Sequence, residues 1–189
     1  MGECMLKRLA VGPVQANCYI LSAPGRDDCA VIDPGGEAGR IRAACGGRKI
    51  AAILLTHGHF DHTGAVDALC EPGTEVWIHE ADAPMLTDPL LNAGWLLGDE
   101  MTVAHPAHTF RGGDTIEAAG LRFTVHHTPG HTPGGVCFEV EDLLFTGDTV
   151  MNGGIGRTDL PGGSEKQLQA SLRKLNPLLR TRRILGGHG

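Results

Sequence analysis

The feature that most restricts how this chain can fold is an apolar run, residues 50–55, that leads straight into Thr56-His57-Gly58-His59-Phe60-Asp61-His62. Short runs of this kind, with a glycine pair shortly before them, read as strands buried on both faces. Four polar side chains are therefore delivered at the end of an interior strand, where they need one another or a ligand. His57 and His59 are two residues apart, so on extended backbone both point to the same side. That suits two imidazoles binding one ion. Asp61 and His62 come as the chain turns into a helix and can be aimed at a second ion beside the first. Neutral imidazole and carboxylate are the ligand set of zinc and other first-row divalent metals. Chance would assemble this pattern on the order of 0.002 times in such a composition.

The rest of the chain supplies many short strands and few helices. Strands are expected over residues 5–11, 17–21, 29–32 and 76–79, then 115–118, 121–127, 136–140, 143–145 and 183–185. Helices are expected over 37–45, ending at Gly46-Gly47, and over about 60–69, with one or two helical turns at 80–85. Ser164 followed by Gln167 reads as a capping box opening a helix that should stop near Leu175, before Pro177. Residues 87–113 show no period and stay unassigned, with a short helix or a loop at 92–98 and a lid or substrate wall as one use. Groups of strands separated by helices suit two packed sheets flanked by helices, an α+β arrangement within a single domain spanning 1–189.

Composition excludes several partners. The 189 residues carry a formal charge of −6, which leaves no overall electrostatic footprint for nucleic acid. The local group Arg173, Lys174, Arg180, Arg182 and Arg183 reads as a solvated face rather than a phosphate site. No apolar stretch approaches a membrane span. The first seven residues contain an acid and lack the apolar run of a secretory signal. Six scattered cysteines, with no Cys-x-x-Cys pair, fit a reducing compartment, and the cytoplasm is the expected location.

Three further residues sit beside glycine at strand ends: His131 after Pro129-Gly130, Asp148 in Gly147-Asp148-Thr149, and His188 in Gly187-His188-Gly189. With His57, His59, Asp61 and His62 they give, in order, His-x-His-x-Asp-His, a later His after Pro-Gly, a Gly-Asp-Thr and a Gly-His. These successive motifs resemble the metallo-β-lactamase superfamily from about Gly12 to His188. The resemblance implies a four-layer αββα sandwich with the metals at one edge of the two sheets. It implies His57, His59 and His131 on one ion, Asp61, His62 and His188 on a second, and Asp148 bridging both. His79, His105, His108, His126 and His127 receive no metal role. The stretch Gly154-Ile155-Gly156-Arg157-Thr158-Asp159 is similar to the single-domain, glyoxalase II-like branch, which lacks the C-terminal helical domain of hydroxyacylglutathione hydrolases. Family chains usually continue past the last histidine, so further residues beyond Gly189 are expected.

The reaction implied is hydrolysis of a small acyl-thiol by a hydroxide bridging two divalent ions, zinc by ligand type, with iron or manganese also accepted. Asp61 would hold the hydroxide's proton as well as bind metal. Arg157 is a candidate to grip a substrate carboxylate, its alternative being a pairing with Asp159 that shapes the loop. The nearest rival is a persulfide dioxygenase with a single iron; the residues of a complete second site argue against it. A lactonase would use the same seven ligands. A β-lactamase fits less well, because the best-known zinc β-lactamases carry Cys where Asp148 stands. A nuclease would need basic additions, a flavodiiron reductase a flavin domain and usually Glu at position 59, and an inactive scaffold a missing ligand.

Overall fold

The computed structural model describes residues 4–98 and 100–189. Its first sheet contains β1 (Met5–Val11), β2 (Ala16–Ser22), β3 (Asp28–Ile32), β4 (Lys49–Leu54), β5 (Glu75–His79) and β6 (Ala107–Phe110), side by side in chain order. The first three pair antiparallel, and β3 to β6 run parallel. The helices α1 (Ala38–Cys45), α2 (Phe60–Thr63) and α3 (Val66–Leu69) lie in the crossovers. The second sheet has β7 (Thr115–Ala118), β8 (Leu121–His127), β9 (Val136–Val140) and β10 (Leu143–Gly147) as an antiparallel meander. A two-stranded ribbon, β11 (Val150–Met151) with β12 (Gly154–Ile155), and α4 (Glu165–Leu179) follow. The last strand, β13 (Arg183–Gly186), joins β10 in parallel at the edge of the second sheet.

Alternation along the strands separates three apolar layers and makes the αββα order visible. On β2, Cys18 and Ile20 face the helices α1 and α3, whereas Tyr19 and Leu21 face the other sheet. On β3, Cys29 and Val31 take the helix side, and Ala30 and Ile32 the inter-sheet side. On β9 and β10, Phe138 and Phe145 fill the space between the sheets, while Cys137 and Leu144 meet Leu175 of α4. Side chains two apart share a face, so each central strand seals two layers at once. This is why these segments read as continuous apolar runs.

Three expectations change in detail. The helix expected over 60–69 is broken into α2 and α3. The loop after β3 presses on the break: a Cβ on Gly64 would lie 2.5 Å from Gly35 O, and Ala65 N donates to Pro34 O at 2.8 Å. The final helix runs past Pro177 to Leu179. Proline there removes a donor in an exposed last turn, and Leu178 and Leu179 still pack beside Leu175 against the second sheet. The unassigned region contains the edge strand β6, whose His108 and Thr109 are exposed and give no apolar signal. It also contains a 3-10 turn, Gly94–Leu97, while the turns expected at 80–85 form a 3-10 turn at Ala83–Leu86.

Candidate metal centre

All seven histidines and aspartates singled out in the sequence meet at one edge of the two sheets. His57 and His59 follow β4, Asp61 and His62 lie in α2, and His131 lies in the β8–β9 connection. Asp148 and His188 follow β10 and β13. The rings of His57, His59 and His131 lie within 4.6–4.9 Å of one another, centre to centre, with His59 Nδ1 2.9 Å from His131 Nε2. Beside them, His188 Nε2 is 3.2 Å from Asp61 Oδ2 and 3.3 Å from His62 Nε2, which is 3.5 Å from Asp61 Oδ2. Asp148 stands between the two groups. Its Oδ2 is 3.4 Å from His131 Nε2, and its Oδ1 is 3.4 Å from His62 Nε2.

The donor set fits metal ions. Among the described residues, four buried side-chain nitrogen or oxygen atoms have no hydrogen-bond partner, and three are here: His57 Nε2, His59 Nε2 and Asp148 Oδ1. Buried polar atoms without a partner are costly unless a ligand completes them. Each of the trios His57, His59, His131 and Asp61, His62, His188 can place one ligand atom per residue within 4.8 Å of the others. A third trio, Asp33, His57 and His62, also satisfies that distance. Asp33 is already committed, however: it accepts from Thr56 N at 2.8 Å and Thr56 Oγ1 at 2.6 Å, and His62 Nδ1 lies 3.0 Å from its Oδ2.

Asp33 acts through this network on both groups. Because it accepts from His62 Nδ1, it fixes Nε2 as the nitrogen that faces Asp61, Asp148 and His188 and that an ion would take in exchange for its proton. Because Thr56 Oγ1 spends its proton on Asp33, it accepts from His57 Nδ1, 3.0 Å away, and leaves His57 Nε2 bare. His131 is oriented similarly, with Nδ1 2.7 Å from Arg157 O. A second buried carboxylate, Asp82, ties two ligand loops together. It accepts from Gly58 N at 3.2 Å, between His57 and His59, and from Thr132 Oγ1 at 2.7 Å and Gly134 N, just after His131.

The two groups differ electrostatically. Burial and the neighbouring imidazoles push His57 well below the ordinary histidine range, and His59 to about 3, so these two rings are neutral. Burial also acts to lower His62, but Asp61, Asp148 and Asp33 overcome it and raise this ring to about 9. Hydrogen bonds to Asp148 and Asp61 raise His188 to about 10. Burial opposes ionisation of Asp148 and Asp61, yet the positive His62 and the His188 hydrogen bond hold both below the usual carboxylate range. The second group thus pairs ionised carboxylates with protonated imidazoles, and an ion bound there takes the place of the imidazole protons.

The family model for the Metallo-beta-lactamase superfamily matches residues 11–188. The chain belongs to that superfamily. It is 40% identical to a Bacillus subtilis protein described as "Probable metallo-hydrolase YqgX", over 97% of this chain and 89% of that one. It is 36% identical to the hydroxyacylglutathione hydrolase GloC of Haemophilus influenzae, over 96% of this chain and 89% of that protein. Among solved structures, the BLEG-1 B3 metallo-beta-lactamase superposes with a TM-score of 0.89 at 37% identity, covering 98% of this chain and 92% of that one. The superfamily sandwich and its metal-dependent hydrolase chemistry agree with the reading of the motifs.

A cleft of about 290 Å³ opens onto the centre in this superfamily member, lined by His59, Asp61, His131, Asp148, His188 and a largely apolar wall. Two larger hollows elsewhere on the surface contain none of the seven residues, and a third, of about 360 Å³, meets only His188 from its far side. Arg157 stands at the rim with its guanidinium engaged: Nε and Nη2 donate to Asp159 at 2.6 and 2.8 Å. The geometry favours its loop-shaping role, and its carbonyl orients His131. Asp33 and Asp82 escaped the sequence reading. Asp33 was legible in principle, as an acid directly after a buried strand and before Pro-Gly-Gly. Asp82 sits in an irregular turn and gives no comparable signal.

Proposed function

We propose that this metal-dependent hydrolase is a two-metal thioesterase that cleaves S-2-hydroxyacyl thiols, S-2-hydroxyacyl-glutathione among them. The observation that carries the reading is Asp148, one carboxylate within 3.5 Å of His131, His62 and His188 at the floor of the cleft. His57, His59 and His131 would hold one ion, Asp61, His62 and His188 the other, and Asp148 would contact both. Zinc is the metal expected of this donor set, which also accepts iron or manganese. Divalent ions held there would lower the pKa of water from 15.7 to about 7 and polarise a carbonyl oxygen. Asp61 lines the cleft, and its carboxylate, held ionised, is the acceptor for a water proton beside the acyl carbon. The apolar wall would lie against the acyl group. The likeness to the Haemophilus influenzae hydroxyacylglutathione hydrolase supports the thioester as substrate. Six free cysteines support a cytoplasmic location.

The test is thiol release from S-D-lactoylglutathione by zinc-loaded protein, with metal content counted and Asp61→Ala as control. Turnover lost in the control with two ions per chain is the expected result. The likeness to a B3 metallo-beta-lactamase supports a second reading, lactam hydrolysis by the same centre. Hydrolysis of a chromogenic cephalosporin without thioester turnover would establish that reading instead. A single iron with consumption of oxygen would point to the dioxygenase.

A further inference from the structure

The cleft is small, and its described lining residues include one arginine and no lysine. Sites for whole small-molecule ligands occupy roughly 300–1,000 Å³, so about 290 Å³ accommodates an acyl group and its sulfur but little of a peptide-sized thiol. Val14, Phe60, Leu96, Leu97 and Leu160 form the wall. Among the described lining residues Arg157 is the sole arginine or lysine, and both of its nearer nitrogens already grip Asp159. Among the described lining residues, a thiol carrier bearing carboxylates therefore finds no ammonium and one guanidinium already paired with Asp159.

The leucines are presented by a built turn. Asn92 is buried: its Oδ1 accepts from Gly94 N and its Nδ2 donates to Met101 O, both at 2.8 Å. Its carbonyl accepts from Phe60 N at 2.9 Å, one residue before Asp61. The turn carrying Leu96 and Leu97 is thereby fixed relative to the chemistry. Ala93 and Gly98 close it at either end with left-handed backbone, φ 63° and 70°. Leu96 and Leu97 remain 46% and 52% exposed, so about half of their surface is left for a ligand to cover.

Resting on the thioesterase reading, we propose that this enzyme selects its substrate by the aliphatic part of a 2-hydroxyacyl group lying against Leu96 and Leu97, and accepts different thiol carriers. Each methylene buried against such a wall improves binding about fourfold, and about twofold where half the contact faces water. From a lactoyl to a 2-hydroxyhexanoyl group, three methylenes longer, the expected gain is roughly 8- to 60-fold.

Two measurements test this. Calorimetry on zinc-loaded protein with lactate, 2-hydroxybutyrate and 2-hydroxyhexanoate should show affinity rising along the series, and the rise should flatten in the Leu96→Asn/Leu97→Asn double variant. Both side chains are half exposed, so the variant is expected to fold. A flat series in the unsubstituted protein overturns the proposal. Separately, kcat/KM for lactoyl thioesters of glutathione and of a short uncharged thiol should agree within about threefold, and a preference for glutathione above tenfold overturns carrier tolerance. If no thioester is hydrolysed, the thioesterase reading fails, and the calorimetric series still decides whether the leucine wall binds the aliphatic chain.

Discussion

Replacing Asp33 by Asn should weaken both halves of the metal centre while leaving the shape of the protein intact. The side chains are isosteric, and Asn tolerates the left-handed backbone that Asp33 adopts at φ 52°. Thr56 N requires an oxygen at the Oδ1 position, so the new amide nitrogen falls where Oδ2 now stands, opposite Thr56 Oγ1 and His62 Nδ1. His62 must then accept at Nδ1, which moves its proton to Nε2, the nitrogen facing Asp61, Asp148 and His188. Thr56, now accepting from the amide, turns its proton towards His57 Nδ1 and transfers the same problem to the first group. Loss of such an orienting partner typically costs 10- to 100-fold in metal affinity, about 1.4–2.8 kcal/mol per site. Competition with a chromogenic zinc chelator resolves two binding steps, and both should weaken by that amount. Wild-type affinity at both steps would refute the relay. Weakening of one step alone would show that Thr56 does not carry the effect to His57.

Gly187→Ala should displace the bridging carboxylate, because the new methyl would overlap Asp148 Oδ1 and lie 2.9 Å from His62 Cε1. We expect a loss of bound metal and about 1–3 kcal/mol of stability, read by metal analysis and thermal melting; unchanged stoichiometry would refute the placement. Asp82→Ala strips an acceptor from three buried donors, each worth about 1–3 kcal/mol when left unpaired, so chemical denaturation should show a loss of about 3 kcal/mol or more. In chelator-stripped protein, His62 and His188 titrate near 9 and 10 instead of 6.5. A raised folded-state pKa contributes stability that is complete below about pH 6.5 and is lost as pH climbs through 9 to 10. The melting temperature of the stripped protein should therefore fall over that window. Zinc must displace these protons, so its affinity should rise with pH over the same window, and binding at pH 7 should release protons detectable in weakly buffered solution.

The centre was more legible than the elements that orient it. His57 and His59 announce themselves by spacing on an apolar strand, and His131, Asp148 and His188 by glycine at a strand end. Each of these five signals is local because the residue sits where a strand has just ended. Asp33 and Asp82 matter through partners 23 and 52 residues away; Asp33 stands out locally as an acid after a buried strand, but local sequence does not say which partners either acid meets. Strand boundaries in the two sheets were readable from alternation and apolar runs. The edge strand β6 was not, since its exposed His108 and Thr109 need only backbone pairing with β5. The break between α2 and α3 was hidden too, because its cause is the approach of Gly35 from another loop. For Arg157, sequence alone left two roles open, and the position of Asp159 favours one.

The ligands converge because backbone bonds stitch the two sheets together at the edge where the strands end. Val136 N, at the start of β9, donates to Thr56 O at 2.9 Å, just before His57. Asn17 N of β2 donates to Gly187 O at 2.7 Å, and Gly187 N to Gly147 O at 2.7 Å, beside His188 and Asp148. Tyr19 OH adds a bond to Gly186 O at 2.6 Å from the other sheet. The groups that bear ligands are thus held by main-chain bonds that need no metal, so little ordering entropy remains to be lost when ions bind. Glycine at 147 and 187 is what permits the approach, since a side chain at either would collide with Thr56 or Asp148. The all-histidine trio and the trio that includes Asp61 then sit on either side of one shared aspartate. The two sites differ because α2 adds the carboxylate of Asp61 to the second trio alone.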